Sequence, residues 1–158
     1  MNTINNFEEI LDSFIKNNVD FMLVGGFAVN FHGYNRSTSD LDIWINPIED
    51  NKSKIISSLI QLGFDGNAKN QINQLDFEKP FAFSLGSEPL EIDIFNHITG
   101  VKYLDAFQNR IPFQFSDNIS VHFISLKDLI VNKMLTGRLQ DKADVENLQK
   151  IELLKKRK

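Results

Sequence analysis

Residues 40–45 read Asp-Leu-Asp-Ile-Trp-Ile and stop before Asn46-Pro47. Alternation with a period of two marks a strand, and residues i and i+2 of a strand share one face. Asp40 and Asp42 therefore project to one side, while Leu41 and Ile43 enter a core on the other. Two neighbouring carboxylates repel each other, and keeping both ionised is costly unless a cation neutralises them. This one segment thus requires a sheet with a buried face and sets a charge problem on the opposite face. A second alternating run, Leu-Glu-Ile-Asp-Ile-Phe at 90–95, repeats the arrangement. If the two strands lie side by side, Asp93 joins Asp40 and Asp42. Glu91 shares the face of Asp93 and competes with it as the third carboxylate. Clustered carboxylates suit a hard divalent ion, Mg²⁺ or Mn²⁺, and three on adjacent strands can hold two.

The remaining pattern supplies helices to cover such a sheet. Ile4, Phe7, Ile10, Leu11, Phe14 and Ile15 recur at spacings of three and four, which predicts an amphipathic helix over 4–18. Phe21-Met22-Leu23-Val24 reads as a buried strand that breaks at Gly25-Gly26, and a short helix is expected at 27–31. Residues 35–39 are polar loop. Ile55, Ile56, Leu59 and Ile60 mark a helix over 49–61, with Gly63 as its stop. Residues 64–74, rich in Asn, Gln and Gly, are expected to contain loop. Runs at 81–85 and 90–95 flank Gly86-Ser87-Glu88-Pro89 and predict an antiparallel hairpin. Strands are expected at 111–115 and 120–124, then a helix at 126–136 capped by Ser125, an interruption at Gly137 and a last helix over about 140–155. The expectation is an α+β fold with a mixed sheet packed against helices, a short helical C-terminal segment at about 125–155, and one domain over 1–158.

Composition narrows the function classes. The chain is 42% apolar and 24% charged, as in globular proteins. It has no cysteine, so disulfides, thiolate metal sites and cysteine nucleophiles are excluded. The net charge of −4 argues against a general duplex-DNA binder. The N-terminus shows no signal-peptide pattern and no apolar run is long enough to cross a bilayer, so a soluble cytoplasmic protein is expected. The basic end, Lys155 to Lys158, reads first as a solvated helix terminus. His32, His97 and His122 are too scattered to suggest a zinc centre.

Gly25-Gly26 lies between the expected buried strand and the expected short helix. Glycines there permit close backbone approach to a phosphate, and amides at a helix start bind anions. The Gly-Lys-Ser/Thr portion of a Walker loop is missing, as is the third glycine of a dinucleotide fingerprint. An ordinary turn is the competing reading.

Val24-Gly25-Gly26, thirteen residues and then Asp40-Leu41-Asp42-Ile43 together resemble the signature of the DNA polymerase beta-like nucleotidyltransferase superfamily. Arg36-Ser37-Thr38-Ser39 before the acidic pair resembles the small bacterial members, and Glu91-Ile92-Asp93-Ile94 resembles the third carboxylate motif. Ser125 to Ile130 and Lys133 to Arg138, followed by Asp141 and Asp144, are similar to the C-terminal segment of stand-alone members. Those members include relatives of abortive-infection nucleotidyltransferase toxins, and small antibiotic nucleotidyltransferases share the catalytic half. The resemblance covers about residues 20–148. It implies that Asp40, Asp42 and Asp93 are the catalytic and metal-binding residues, with Asp93 helping to activate the acceptor hydroxyl. It also implies that Gly25, Gly26, Arg36, Thr38, Lys133 and Arg138 contact the nucleotide. Larger members add a helical substrate domain for which this chain has almost no room.

Each supporting residue has a plainer reading. Lys133 beside an apolar stripe suits a snorkelling side chain. Arg138 with Asp141 and Asp144 suits a local salt-bridged network. Arg36 suits an exposed loop, and Thr38 a residue that fixes that loop. Trp44 falls on the carboxylate side of its strand and suits a hydrophobic cover, while Tyr34 and Phe83 are candidates for a base or acceptor pocket. The expected activity is transfer of a nucleoside monophosphate from a nucleoside triphosphate to a hydroxyl on an RNA end, a protein or a small molecule. The alternative is a catalytically silent nucleotide-binding protein, or one controlled by a small protein partner.

Overall fold

The structure is a computed structural model that describes residues 6–157. Its order is α1 (Phe7–Lys16), β1 (Phe21–Val24), α2 (Gly25–Phe31), β2 (Leu41–Ile45), α3 (Glu49–Gln61), α4 (Gly66–Asn73), β3 (Ala82–Ser87), β4 (Leu90–Phe95), α5 (Tyr103–Phe107), β5 (Ile111–Ser116), β6 (Ile119–Phe123), α6 (Leu126–Thr136) and α7 (Leu139–Lys156). The six strands form one mixed sheet in the order β3-β4-β2-β1-β6-β5. The fold is α+β, as expected. No helix among the described residues is long and apolar enough to cross a membrane.

Helix α1 buries Ile10, Leu11 and Phe14 completely, and Asn6 caps it by accepting from the Glu9 amide. The expected contribution of Ile4 lies outside the described residues. Helix α2 packs on β1 and β2 and reaches α6, which pairs with α7. It begins at Gly25, so the glycine pair opens the helix instead of preceding it. Gly25 has φ +68°, in the left-handed region that favours glycine, and there the chain turns from strand into helix. Ser125 caps α6 by accepting from the Asp128 amide, and Gly137 ends it at φ +67°.

Two helices depart from the sequence pattern. Residues 66–73 form α4 where loop was expected. Asp65 caps it through Oδ1, which accepts from the Asn67 and Ala68 amides, and Ile72 is its only buried residue. One apolar anchor in a polar octapeptide leaves no period to read. Helix α5 is five residues long and buries Tyr103 and Ala106.

A buried polar clamp fixes the sheet's central antiparallel pair, β1 and β2. Asn51, on α3, is fully buried. Its Oδ1 accepts from the Asp20 amide (2.9 Å), and its Nδ2 donates to the carbonyls of Asp20 (3.0 Å) and Asn46 (3.1 Å). It therefore ties the entry of β1 to the exit of β2. Asn51→Ala would leave these backbone groups unpaired in the interior. The expected loss is roughly 2–4 kcal/mol, read as a lower urea midpoint with an unchanged slope; an unchanged midpoint would show that the clamp contributes nothing.

Candidate active site

Sheet register assembles the carboxylates. Strands β2 and β4 run parallel with Asp42 opposite Asp93, and β1 places Val24 opposite Asp42. Continuing that register sets Asp40 beside Glu91, so four carboxylates share one sheet face in two rows. On the far side of β4, Ser84 lies opposite Asp93 and its Oγ donates to Asp93 Oδ1 at 2.5 Å. One ligand oxygen from each of Asp40, Glu88 and Glu91 falls within 4.8 Å of the others, a group able to hold a divalent cation. Glu88 comes from the turn between β3 and β4. Nothing in the local pattern flagged it, because only the folded hairpin brings it back over Glu91.

Facing these acids is a cationic wall built on α6, α7 and the loop before β2. Lys133 is 5% exposed, and its Nζ lies 3.2 Å from Asp141 Oδ1 and 3.0 Å from Asp144 Oδ2. It does not snorkel to solvent. Arg36 is not an exposed loop residue either: its Nε lies 2.9 Å from Asp144 Oδ1, and its Nη2 donates to Oδ2 at 3.2 Å. Arg138 donates through Nε (2.8 Å) and Nη2 (3.3 Å) to Asp141, while most of its side chain remains exposed. Asp141 and Asp144 are fully buried. The salt-bridged network suggested by the sequence therefore exists, and it also reaches across the chain to Arg36.

All nine residues singled out from the sequence line one cavity of about 400 Å³: Gly25, Gly26, Arg36, Thr38, Asp40, Asp42, Asp93, Lys133 and Arg138. A neighbouring cleft of about 590 Å³ shares Gly25, Asp42, Lys133 and Arg138 with it and continues to Phe81, Phe95, His97, Asn132 and Thr136. A family model described as a nucleotidyltransferase of unknown function (DUF6036) matches residues 3–155. The chain belongs to this family. Its domain is thus related to the DNA polymerase beta-like nucleotidyltransferases. A search of curated proteins finds no match.

The candidate site carries electrostatic tension on its acidic side. Burial raises the Asp42 carboxyl to about 6, with Asp93 and Asp40 pushing the same way and Lys133 and Arg138 opposing. Asp93 and Asp40 likewise raise the Glu91 carboxyl. On the cationic side burial would raise Asp141, but hydrogen bonds from Arg138 and Thr136 and the charge of Lys133 overcome it and hold Asp141 well below the usual range. An all-oxygen donor set under mutual repulsion fits a hard divalent cation.

The two glycines differ in what they permit. A Cβ on Gly25 would lie 1.9 Å from Asp42 Oδ2, so this position must be bare for the carboxylate to occupy its place. A Cβ on Gly26 would lie 2.3 Å from Thr38 Oγ1 and 3.3 Å from Arg36 Nη2. Gly26 thus seats the Arg36–Thr38 loop, and a methyl there would strike that loop before any phosphate. Trp44 is fully buried and packs edge-on against Tyr103, as a cover. Tyr34 and Phe83 line neither cavity. Phe83 lies opposite Ile94, on the sheet face away from Asp93, and both Tyr34 and Phe83 pack on the core. Phe81 and Phe95 supply the aromatic lining instead. His32 is buried with Nε2 donating to the Ile124 carbonyl at 2.7 Å.

The raised Asp42 carboxyl gives a sign to pH dependence. A carboxyl with a higher pKa folded than unfolded binds its proton more readily when folded. Ionised Asp42 therefore opposes folding at neutral pH, and the penalty is relieved as pH falls from about 6 toward the ordinary 3.8. Asp42→Asn should stabilise the metal-free protein at pH 7.5 by on the order of 1–3 kcal/mol. That corresponds to roughly 2–12 °C in Tm for a chain of this size, and the gap should shrink through pH 6 and close near pH 4. Equal Tm values at pH 7.5 in chelator would remove this penalty of burial and repulsion from the account.

Proposed function

We propose that this chain transfers a nucleoside monophosphate from a nucleoside triphosphate to a hydroxyl-bearing acceptor and releases pyrophosphate. The observation that carries the reading is the single cavity in which Asp40, Asp42 and Asp93 face Arg36, Lys133 and Arg138. In the proposed reaction the acceptor oxygen bonds to the α-phosphorus, the bond to the bridging oxygen of the β-phosphate breaks, and pyrophosphate carries away those electrons. Positioning and charge neutralisation are the main needs of such a step.

Asp40, Asp42 and Asp93 would hold Mg²⁺ or Mn²⁺, with Glu91 and Glu88 at the outer edge of the group. The ion would supply charge neutralisation for the triphosphate oxygens. Lys133, Arg36 and Arg138 receive the β- and γ-phosphates, and their internal pairing with Asp141 and Asp144 holds them oriented before substrate arrives. Gly25 keeps Asp42 against the phosphate turn, and Thr38 fixes the loop that carries Arg36. Asp93, oriented by the Ser84 hydroxyl, accepts the proton of the attacking hydroxyl. The adjoining cleft, with Phe81 and Phe95 and polar Asn132 and Thr136, takes the organic part of a substrate.

The reading extends to a single minimal domain of the small stand-alone bacterial type, related to abortive-infection toxins and antibiotic nucleotidyltransferases. Such a domain would work in the cytoplasm away from membranes and duplex DNA. Its acceptor is an RNA end, a protein or a small molecule, and a small regulatory protein is a further partner. Incubating the protein and a cell extract with each of the four α-labelled triphosphates identifies base and acceptor class together. Label in a discrete acceptor supports the proposal; label lost only as free monophosphate, or never released from triphosphate, contradicts it.

Asp93 and Glu91 separate by mutation. Asp93→Asn should keep much of the triphosphate affinity while transfer falls by ~10²-fold or more, as when a positioned proton acceptor is lost. Glu91→Gln, on the outer row, should cost less. Near-normal transfer in Asp93→Asn with collapse in Glu91→Gln would move the acceptor-side role to Glu91.

A further inference from the structure

The strands at the two ends of the sheet, β5 and β3, each present one side of their backbone to no further strand. They differ in how that edge is treated. Strand β5 carries Pro112, which has no N–H to offer, and its register with β6 shifts between Gln114 and Ser116. Strand β3 has neither device. Ala82–Ser87 contains no proline and no charged residue, and it pairs with β4 residue for residue from Ala82 opposite Phe95 to Ser87 opposite Leu90. The phase of that ladder shows which groups are open. The Asn96 N–H donates to the Phe81 carbonyl at 3.4 Å, and the Phe81 N–H donates to Asn96 Oδ1 at 2.9 Å, so the backbone of residue 81 faces the β4 side. Backbone groups alternate in direction along an antiparallel strand. Phe83 and Leu85 therefore bond to β4, while Ala82 and Ser84 turn N–H and C=O to the open edge. Both of these residues are exposed.

We propose that the open edge of β3 receives an extended, lysine- or arginine-bearing segment of a partner protein as an added strand. Outward N–H and C=O groups in strand spacing are met in register by another strand, which fixes the occupant as a polypeptide. Charge fixes its kind. Residues 80–96 include Glu88, Glu91 and Asp93 and no lysine or arginine. Asp93 lies opposite Ser84, whose Oγ donates to it, and Glu91 lies opposite Gly86. These acids therefore share the sheet face on which the small Ala82 and Ser84 side chains stand. A second copy of this chain would bring another uncharged β3 and the same acids, and would leave them unmatched. Cationic side chains at alternate positions of a foreign strand fall on that face and pair with them. The docked strand lies about 4.8 Å beyond β3, beside the row that holds Asp93. The inference does not rest on the proposed transfer reaction.

Amide hydrogen exchange of the ¹⁵N-labelled full chain tests this residue by residue. The probe is an acetylated, amidated octapeptide that repeats Thr-Val-Lys-Val, which puts Thr and Lys on one face and Val on the other. Without peptide, the Ala82 and Ser84 amides should exchange much faster than those of Phe83 and Leu85. At a peptide concentration ten times its Kd they should slow by about tenfold. The same peptide with Glu in place of Lys should bind about fivefold more weakly or worse, as ion pairs at a surface become like-charge contacts. Ala82→Pro removes one outward N–H and no bond to β4. It should keep the fold, seen as unchanged β4 resonances, and weaken the lysine peptide by about fivefold. No slowing at Ala82 and Ser84 by the lysine peptide, or equal affinity for the Glu peptide, would overturn the proposal. Slowing of these two amides with protein concentration alone would also overturn it, because the edge would then be occupied by a second copy.

Discussion

Like charges held side by side on adjacent strands are the constraint on which the rest of this structure depends. The parallel pairing of β2 with β4 sets Asp42 against Asp93, and the same face carries Asp40 and Glu91. Hydrophobic residues on both strands make that register obligatory: Leu41, Ile43, Ile92 and Ile94 are buried on the opposite face, and a slip of one residue would exchange core for carboxylate. The core thus enforces a repulsion that adds to burial in raising the Asp42 carboxyl.

The other elements are arranged around that tension. Helix α2 begins on a bare Gly25 because the Asp42 carboxylate occupies the space a side chain would need. Helices α6 and α7 bring Lys133 and Arg138 to the same cavity, yet their charges are met first by Asp141 and Asp144. Buried ion pairs are seldom a source of stability, because desolvation offsets their attraction. Here their value is geometric. Asp144 holds both Arg36 from the loop and Lys133 from α6, so three separate segments keep a fixed position opposite the carboxylates. Under the proposed function, a polyanion together with cations would complete the charge balance that neither wall completes by itself.

Much of this was legible in the sequence, for identifiable reasons. Period-two alternation placed Asp40, Asp42 and Asp93 on a common face, and strong apolar periods located α1, α3 and every strand. What escaped reading depended on distant partners. Arg36 and Asp144 are 108 residues apart, so no local pattern could join them, and for Lys133 a snorkelling reading stood beside the nucleotide contact because its buried partners lie on the next helix. Glu88 was hidden in a turn, and the three backbone partners of Asn51 come together only in the fold. Gly26 resembled a phosphate-contacting glycine, whereas the Thr38 side chain lies against it. Helix α4 had one buried anchor and hence no period.

The central claim is that carboxylates and cations form one site for a triphosphate bound with a divalent ion. Calorimetric titration of the unmodified protein with ATP, CTP, GTP and UTP, with Mg²⁺ and in chelator, tests it directly. The account predicts that at least one triphosphate binds in the presence of Mg²⁺ and binds markedly more weakly without it. Equal affinity with and without Mg²⁺ would contradict the account, because the carboxylates would then take no part in holding the triphosphate.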